Sequence, residues 1–219
     1  MNQKINNGLM SIYDLMYSHF GSRNWWPADT AFEVVMGAFL TQFVSWKNVV
    51  TALNNLKNEN VLSIEGICEV KDEKLEELIR STRFYKQKAR KLKVFCRYVM
   101  DNYGGNLDKL FSKDIYELRK ELLSLYGIGK ETADSIILYA AEKPVFVVDA
   151  YTQRIFTRFG YFNEDISYDK MQKFFMDNLV HDVKLFNEYH ALIVATGNSF
   201  CSNKKPKCSG CPVKTVCVK

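Results

Sequence analysis

Four of the chain's six cysteines lie in its last nineteen residues, at Cys201, Cys208, Cys211 and Cys217. Thiolates spaced as C-x6-C-x2-C-x5-C are soft ligands that suit either a tetrahedral zinc ion or an iron–sulfur cluster. Zinc sites usually pair two short cysteine knuckles across a longer gap, whereas here three unequal loops surround a single centre. The spacing therefore favours a four-iron cluster with all four cysteines as ligands.

A second stretch, LYGIGKETADSI over residues 125–136, has the composition of a phosphate-binding turn. Gly127 and Gly129 flank Ile128 at the junction of two expected helices, and glycine lets the chain approach a ligand closely. Amide groups of such a turn, followed by Lys130 and a helix N-terminus, suit a phosphate oxygen. A G-x-G turn alone is usually only a tight turn, so its meaning depends on the rest of the chain.

Two carboxylates follow this turn. Glu131 lies in the first turn of the helix after the glycines, and Asp149, in VFVVDAY, is placed to cap a new helix. A helix N-terminus favours the ionised carboxylate, which suits a residue that activates water or faces a developing cation. Both residues are candidates for catalysis, although both positions also suit a purely structural carboxylate.

Aromatic residues are concentrated near the start of the chain. Trp25, Trp26 and Trp46 fall within 22 residues, and Gln42 lies among them. Tryptophan is heavily buried on average, so core packing and the stacking of a planar ligand both remain open.

The segments that must position these residues are helical almost throughout. Thr30 with Glu33 forms a capping-box pattern, Ser45 is placed as an N-cap, and Gly104 ends a long amphipathic stretch. The predicted helical segments are TAFEVVMGAFLTQF, SWKNVVTALNNLK, FYKQKARKLKVFCRYVMDNYGG, SKDIYELRKELLSLYGIG, KETADSIILYAAEK, DAYTQRIFTRFG, SYDKMQKFFMDNLV and KLFNEYHALIVATGNSF. The short apolar run PVFVV is typical of a strand, but one strand cannot make a sheet. The predicted class is all-α.

Composition narrows the classes of protein further. The chain has 219 residues, 47% of them apolar, and a formal charge of +5, enough to bury one large core or two coupled ones. No uncharged apolar run approaches the roughly 18 residues of a membrane span, and the first residues lack the apolar stretch of a secretory signal. We therefore expect a cytoplasmic monomer without membrane contact, and a reducing compartment agrees with a metal-binding cysteine cluster.

The glycine turn, the VVDAY aspartate and the cysteine tail, in this order over most of the chain, resemble the endonuclease III family of helix-hairpin-helix DNA glycosylases. The resemblance implies a six-helix barrel over residues 29–135. It also implies a second helical domain, formed by residues 1–28 and 136–219, that carries a [4Fe-4S] cluster. Its partner would be double-stranded DNA containing a damaged base, which is flipped out of the duplex. The implied DNA contacts are Gly127, Ile128, Gly129 and Lys130 of the hairpin and Lys204, Lys205 and Lys207 of the cluster loop.

A lysine follows the hairpin in the family members that also cut the DNA backbone, where its amine forms a Schiff base with the sugar. At that register this chain has Glu131, and Lys130 lies one place earlier. One residue along a helix turns a side chain by about 100°, so Lys130 points away from the face that Glu131 occupies. The sequence therefore predicts a monofunctional glycosylase without strong lyase activity, in which Asp149 or Glu131 positions the attacking water.

The segments NWWP, LTQ, SW and GIGKETADSI resemble those of 3-methyladenine DNA glycosylases of the endonuclease III type. Alkylated purines such as 3-methyladenine and 7-methylguanine are positively charged, which strengthens stacking on indole rings and makes the base a good leaving group. We therefore expect Trp25, Trp26 and Trp46 in the base pocket, with Gln42 filling the gap left by the flipped nucleotide. The two residues after Gln42 are more apolar than this pattern predicts.

Two other classes fit parts of the pattern. One is a bifunctional endonuclease III-type glycosylase and abasic-site lyase acting on oxidised pyrimidines, against which the missing lysine argues. The other is a non-catalytic iron–sulfur protein that binds DNA or transfers electrons, in which Asp149 is only a helix cap. His190 is expected to be a hydrogen-bonded structural residue, since the four cysteines already complete a ligand set.

Overall fold

The computed structural model describes residues 3–218, and this range is helical without a strand. The α-helices are α1 Gln3–Phe20, α2 Ala31–Leu40, α3 Trp46–Asn58, α4 Ile64–Glu69, α5 Asp72–Leu78, α6 Tyr85–Tyr103, α7 Leu107–Phe111, α8 Ile115–Ser124, α9 Lys130–Ser135, α10 Ala150–Arg158, α11 Tyr168–Asn178 and α12 Val183–Ser199. A π-helical turn, Ile136–Ala140, follows α9, and short 3-10 turns occupy Arg80–Thr82, Cys208–Gly210 and Lys214–Val216. The all-α prediction is confirmed. Over the described residues, none of the helices has the length and apolar character needed to cross a membrane.

The chain divides into two compact units. The central unit is Trp26–Lys143, and the terminal unit combines Met1–Trp25 with Pro144–Lys219. The sequence placed the divisions after residues 28 and 135. The structure carries the central unit on to Lys143, because the π-helical turn continues directly from α9 and packs on α2.

The central unit is organised around α2, which is buried along most of its length. Its start has the predicted Thr30 cap, whose Oγ1 accepts from the Glu33 amide at 3.2 Å. The Glu33 side chain differs from a strict capping box, because its Oε2 accepts at 2.9 Å from the amide of Asp29, one residue before the cap. Phe39 of α2 packs on Phe95 of α6 with ring centroids 5.6 Å apart. This core holds the C-terminal end of α2, where Gln42 follows, against α6.

The terminal unit encloses an aromatic core from α10, α11, α12 and the extended segment before α10. The rings of Phe146 and Phe175 stack at 4.2 Å, and Tyr189 packs edge-on against Phe146 at 5.8 Å. The hydroxyl of buried Tyr189 donates to the Leu9 carbonyl of α1 at 2.7 Å. The apolar run PVFVV is therefore buried core rather than a strand, and it leads directly into Asp149.

Candidate functional site

The glycine turn joins α8 to α9 as a helical hairpin. Gly127 has a φ of +84°, and a Cβ at this position would collide with the side chain of Lys91. Ile128 is buried and its amide donates to the Leu125 carbonyl at 3.2 Å, which anchors the turn. Gly129 is exposed, and a Cβ there would meet no atom within 4 Å. The turn is therefore fixed at Ile128 and open at Gly129, where a ligand has room to approach.

The hairpin angle is held by a buried ion pair between its two helices. Asp134 of α9 is 0% exposed, and Arg119 of α8 donates to it through Nε at 2.7 Å and Nη2 at 3.0 Å. This two-pronged arrangement fixes orientation as well as distance. Lys130 and Glu131 lie exposed at the start of α9. The Arg119–Asp134 ion pair therefore orients the helix that carries them.

Asp134→Ala is expected to lower the free energy of unfolding by about 3–5 kcal/mol, because it leaves the half-buried Arg119 charge without its carboxylate. Urea denaturation monitored by circular dichroism measures this loss. The matched control is the double variant Arg119→Leu with Asp134→Leu, which should recover much of the stability because no unpaired charge remains. An unchanged urea midpoint in Asp134→Ala would show that the pair does not hold the hairpin.

Gln42 lies just beyond α2, and both the nitrogen and the oxygen of its side-chain amide make hydrogen bonds. Its Nε2 donates to Thr132 Oγ1 of α9 at 2.9 Å, and its Oε1 accepts from Lys91 Nζ of α6 at 2.7 Å. The side chain therefore ties the end of α2 to both neighbouring helices. Leaving this position to enter a duplex would break both hydrogen bonds.

Beside Gln42 lies an open groove of about 230 Å³, lined by Gln42, Phe43, Phe84, Gln87, Lys88 and Lys91. Phe43 is 85% exposed and Phe84 is 59% exposed, so two large rings project into solvent at this groove. Both residues have left-handed backbone angles, with φ of +59° and +47°. Such angles are strained for bulky residues and persist only where surrounding contacts impose them, which is a common mark of function.

Two of the three tryptophans meet within the central unit. The Trp26 ring packs edge-on against Trp46 at 5.2 Å and also contacts Tyr139 at 5.2 Å. A Cβ at Gly37 of α2 would lie 3.0 Å from the Trp26 ring, so this glycine makes room for the indole. Trp26 and Trp46 are half-buried rather than enclosed, as is Trp25, which belongs to the terminal unit. The cluster of Trp26, Trp46 and Tyr139 thus keeps aromatic surface accessible.

Asp149 is the N-cap of α10, as the sequence predicts. Its Oδ1 accepts from the amide and the hydroxyl of Thr152 at 2.7 and 2.9 Å, and its Oδ2 lies 3.5 Å from His190 Nε2 of α12. Burial alone would raise the pKa of Asp149, whose side chain is 11% exposed, but His190 and Thr152 outweigh burial and hold that pKa below its ordinary value. Asp149 is therefore ionised at neutral pH, and the stability it contributes is lost only as pH falls through its depressed pKa.

In the tail, Cys201, Cys208 and Cys217 lie near Cys211. Burial raises the pKa of the Cys211 thiol, and the nearby thiols of Cys201, Cys208 and Cys217 raise it further. Arg158 Nη1 of α10 lies 2.9 Å from Cys201 Sγ, a donor that suits a thiolate. Within residues 3–218, no three acidic, histidine or cysteine side chains approach closely enough to hold one metal ion.

The loop between the first two tail cysteines is exposed and basic. Lys204, Lys205 and Lys207 all face solvent. Arg158 also donates to the carbonyls of Ser202 and Asn203 at 3.1 and 3.3 Å. The loop is therefore fixed to α10 while its lysines stay available.

The HhH-GPD family model, described as a superfamily of base excision DNA repair proteins, matches residues 36–180, which include the hairpin and Asp149. The chain belongs to this superfamily. It is 48% identical over 211 residues to a Methanocaldococcus jannaschii protein provisionally named a DNA repair glycosylase, with 96% of each chain covered. Endonuclease III of Thermotoga maritima is 27% identical over 187 residues, covering 85% of this chain and 82% of that protein.

A solved structure agrees with this placement. The crystal structure of H. pylori 3-methyladenine DNA glycosylase bound to 1,N6-ethenoadenine superimposes with a TM-score of 0.75 at 28% identity, covering 89% of this chain and 96% of that one. The HhH-GPD protein is accordingly a DNA glycosylase with a helix-hairpin-helix fold. The fold predicted from the glycine turn, the aspartate and the tail is confirmed.

Three residues of the HhH-GPD protein gain importance only from the structure. The sequence pattern places Phe84 as the first residue of a helix, whereas in the structure it precedes α6 in a left-handed conformation that sequence spacing does not reveal. Phe43 stood out only as unexpectedly apolar. His190 faces Asp149, a pairing across 41 positions of sequence that no local pattern could indicate.

Proposed function

We propose that this DNA glycosylase is monofunctional and hydrolyses the N-glycosidic bond of positively charged alkylpurines, 3-methyladenine first and also 7-methylguanine, in double-stranded DNA. The observation that carries the proposal is Glu131, exposed at the start of α9, where Schiff-base chemistry would need a lysine. The likeness to the H. pylori 3-methyladenine DNA glycosylase supports the same class of substrate.

Asp149 is the proposed catalytic carboxylate. As the glycosidic bond breaks, the sugar becomes an oxocarbenium ion, and a fixed negative charge stabilises that cation or orients the attacking water. Thr152 holds one carboxylate oxygen and His190 faces the other, so the group is held in one orientation without reorganisation. Glu131 would add negative charge without forming a covalent intermediate.

The aromatic cluster of Trp26, Trp46 and Tyr139 supplies the proposed selectivity for a charged base. A cation is attracted to the face of an indole ring by about 0.5–2 kcal/mol more than a neutral base is. The half-buried rings of Trp26 and Trp46 would gain such a contact. Because a positively charged purine is already a good leaving group, the protein need not supply a strong acid to the base.

The duplex must close over the gap that the flipped nucleotide leaves. Gln42 was the sequence candidate for this role, but its amide is engaged by Thr132 and Lys91. We propose that the exposed rings of Phe43 and Phe84 enter the base stack instead. Gln42 would hold the segment before Phe43 in place through its hydrogen bonds to Thr132 and Lys91. Aromatic rings stack on any neighbouring base, so such a wedge tolerates different sequences.

A [4Fe-4S] cluster is the proposed cofactor, with Cys201, Cys208, Cys211 and Cys217 as its ligands. Its contribution when bound would be structural, since it would join the tail into one rigid loop. That loop would present Lys204, Lys205 and Lys207 to DNA phosphates, and the hairpin residues Gly127, Ile128, Gly129 and Lys130 would contact a second stretch of backbone.

Neutralising Lys204, Lys205 and Lys207 together is expected to weaken binding to all DNA sequences alike. The slope of log affinity against log salt concentration should fall by about one unit for each lysine that contacts a phosphate. Fluorescence anisotropy across a salt series measures the slope. The control is an equal-charge triple alanine variant of the exposed Lys71, Lys109 and Lys184. A slope that falls equally in both triple variants would place the DNA-binding cations outside the tail.

Borohydride trapping on a duplex with an abasic site tests the monofunctional assignment. Only a Schiff base is reduced to a stable crosslink, so the wild type should give none, and Glu131→Lys offers a variant that restores an amine at the hairpin position. A strong crosslink in the wild type would support the alternative, a bifunctional glycosylase and abasic-site lyase.

A further inference from the structure

Lys88 is a buried cation to which the proposed mechanism assigns no role. It lies on α6, is 2% exposed, and its Nζ donates to the backbone carbonyls of Leu40 at 2.8 Å, Gln42 at 2.9 Å and Thr82. An ammonium group has three N–H donors, and these three carbonyls use all of them. Burying a charge is costly unless it is fully satisfied, so this arrangement is a specific one.

The three carbonyls belong to the two segments that carry the exposed phenylalanines. Leu40 and Gln42 lie just before Phe43, and Thr82 lies two residues before Phe84. Phe43, Arg83 and Phe84 all have left-handed backbone angles, between +47° and +59°. Residues of this kind keep such angles only when neighbouring contacts hold the backbone. Lys88 provides a contact of this kind to both segments at once.

We propose that Lys88 is a positioning residue whose ammonium group joins these two segments, so that Phe43 and Phe84 are presented to DNA as a preformed pair. The inference rests on the proposed function, since it requires a nucleotide to be flipped from a duplex. A pair that is ordered before binding avoids the entropy cost of ordering two side-chain segments on the DNA.

The protonation state of Lys88 offers a second way to test this role. Burial, and then the charge of Lys91, lowers the pKa of Lys88 from 10.5 to about 8. Lys91 is the charged group that acts on it, and burial lowers the pKa of Lys91 as well. Above about pH 8 the folded protein loses a proton that the unfolded chain keeps, so the free energy of unfolding rises with pH through this group.

The neutral Lys88 amine has only two N–H donors, so one of the three carbonyls then loses its partner. High pH should therefore loosen the two segments without unfolding the protein.

Hydrogen exchange of the free protein at pH 7 tests the ordering directly. Lys88→Met removes the three hydrogen bonds, and Lys86→Met, on the exposed side of the same helix, is the matched control. We expect amides in residues 41–44 and 82–85 to exchange at least about tenfold faster in Lys88→Met, the effect of losing one hydrogen bond to a charged group. Exchange equal to that of the wild type in both segments would overturn the proposal.

Base release tests the consequence for DNA, using 3-methyladenine in a duplex and in a single strand. Flipping costs least when the base is already unpaired, so Lys88→Met should lose rate on the duplex and keep it on the single strand. An equal loss on both substrates would mean a merely structural role and would overturn the proposal. In the wild type, the ratio of duplex to single-strand rates should fall between pH 7 and pH 9, as expected from a pKa of about 8, whereas Lys88→Met should show a pH-independent ratio.

The two measurements separate this proposal from the proposed function. If the wild type released no alkylated base from either substrate, the proposed function would be wrong. The exchange measurement would still support or overturn the ordering of the two segments by Lys88, because it needs no DNA. The pH series on the wild type serves the same purpose should Lys88→Met fold poorly.

Discussion

Asp149→Asn is expected to lower the rate of base release by about 10²–10⁴-fold, the usual contribution of a positioned catalytic acid or base. The physical reason is the loss of the negative charge that faces the sugar cation. Asparagine is as good an N-cap as aspartate, and its side-chain oxygen can still accept from Thr152, so α10 should form normally. Single-turnover kinetics on a duplex containing 3-methyladenine measures the loss.

Two controls separate catalysis from folding and binding in this experiment. The affinity of Asp149→Asn for lesion DNA should match that of the wild type, and its melting temperature should fall only modestly, since the variant keeps the shape and loses the charge that faces His190. Glu131→Gln, the other carboxylate variant, should lose less rate because Glu131 is exposed and its charge is screened by solvent. Wild-type turnover in Asp149→Asn would reduce Asp149 to a helix cap and remove the proposed mechanism.

Cys211→Ser is expected to abolish cluster binding and to weaken the affinity for duplex DNA by about tenfold or more. Cys211 is one of the four proposed ligands and lies near the other three, so its loss would leave the cluster with three cysteine ligands. Each charged hydrogen bond to a phosphate contributes about 1.5 kcal/mol or more, and a loss of 1.4 kcal/mol is tenfold in Kd. Iron and sulfide analysis of anaerobically purified protein, together with fluorescence anisotropy, measures both effects.

Cys68→Ser is the matched control for the tail variant, since Cys68 is a half-buried cysteine outside the tail. It should keep the iron, the sulfide and the DNA affinity of the wild type. Stoichiometric zinc without sulfide in the wild-type protein would replace the proposed cluster with a zinc site. Equal loss of iron from both variants would show that the tail is not the cluster's specific ligand set.

The fold could be predicted from the sequence because its strongest signals are local. The Thr30 N-cap opens α2, and Gly104 ends α6 with a φ of +60°, as its position in the pattern predicts. The predicted segments lack α1, of 18 residues, and α7, of 5. Helices α4 and α5, of 6 and 7 residues, are also missing from them, because so short a segment shows too little periodicity. They depend on packing against α6, which is tertiary information.

The candidate site was only partly predictable from the sequence, because some of its contacts depend on tertiary packing rather than on local patterns. Asp149 was recognised because an aspartate before a helix is a local pattern. Its neighbour His190 comes from a distant helix, and the pairing depends on how α10 and α12 pack. Gln42 was expected to be free to enter DNA, but Thr132 and Lys91 bind it from helices 90 and 49 positions away in sequence.

Backbone conformation explains the remaining difference between expectation and structure. Nothing in STRFYK marks Phe84 as left-handed, because phenylalanine rarely adopts that region and no glycine signals it. Lys88 donates to the Thr82 carbonyl two residues earlier, a contact that we propose holds this segment. At Phe84 the surrounding structure overrides the local preference, which local sequence cannot indicate.

The most direct test of the proposed function is product analysis on methylated duplex DNA, with free bases and strand integrity measured in the same reaction. We expect release of 3-methyladenine and 7-methylguanine, with a strand that stays intact until alkali breaks it at the abasic sites. A matched duplex carrying oxidised pyrimidines should be left unchanged. Release of oxidised pyrimidines with strand scission before alkali, and no action on the methylated duplex, would contradict the proposal.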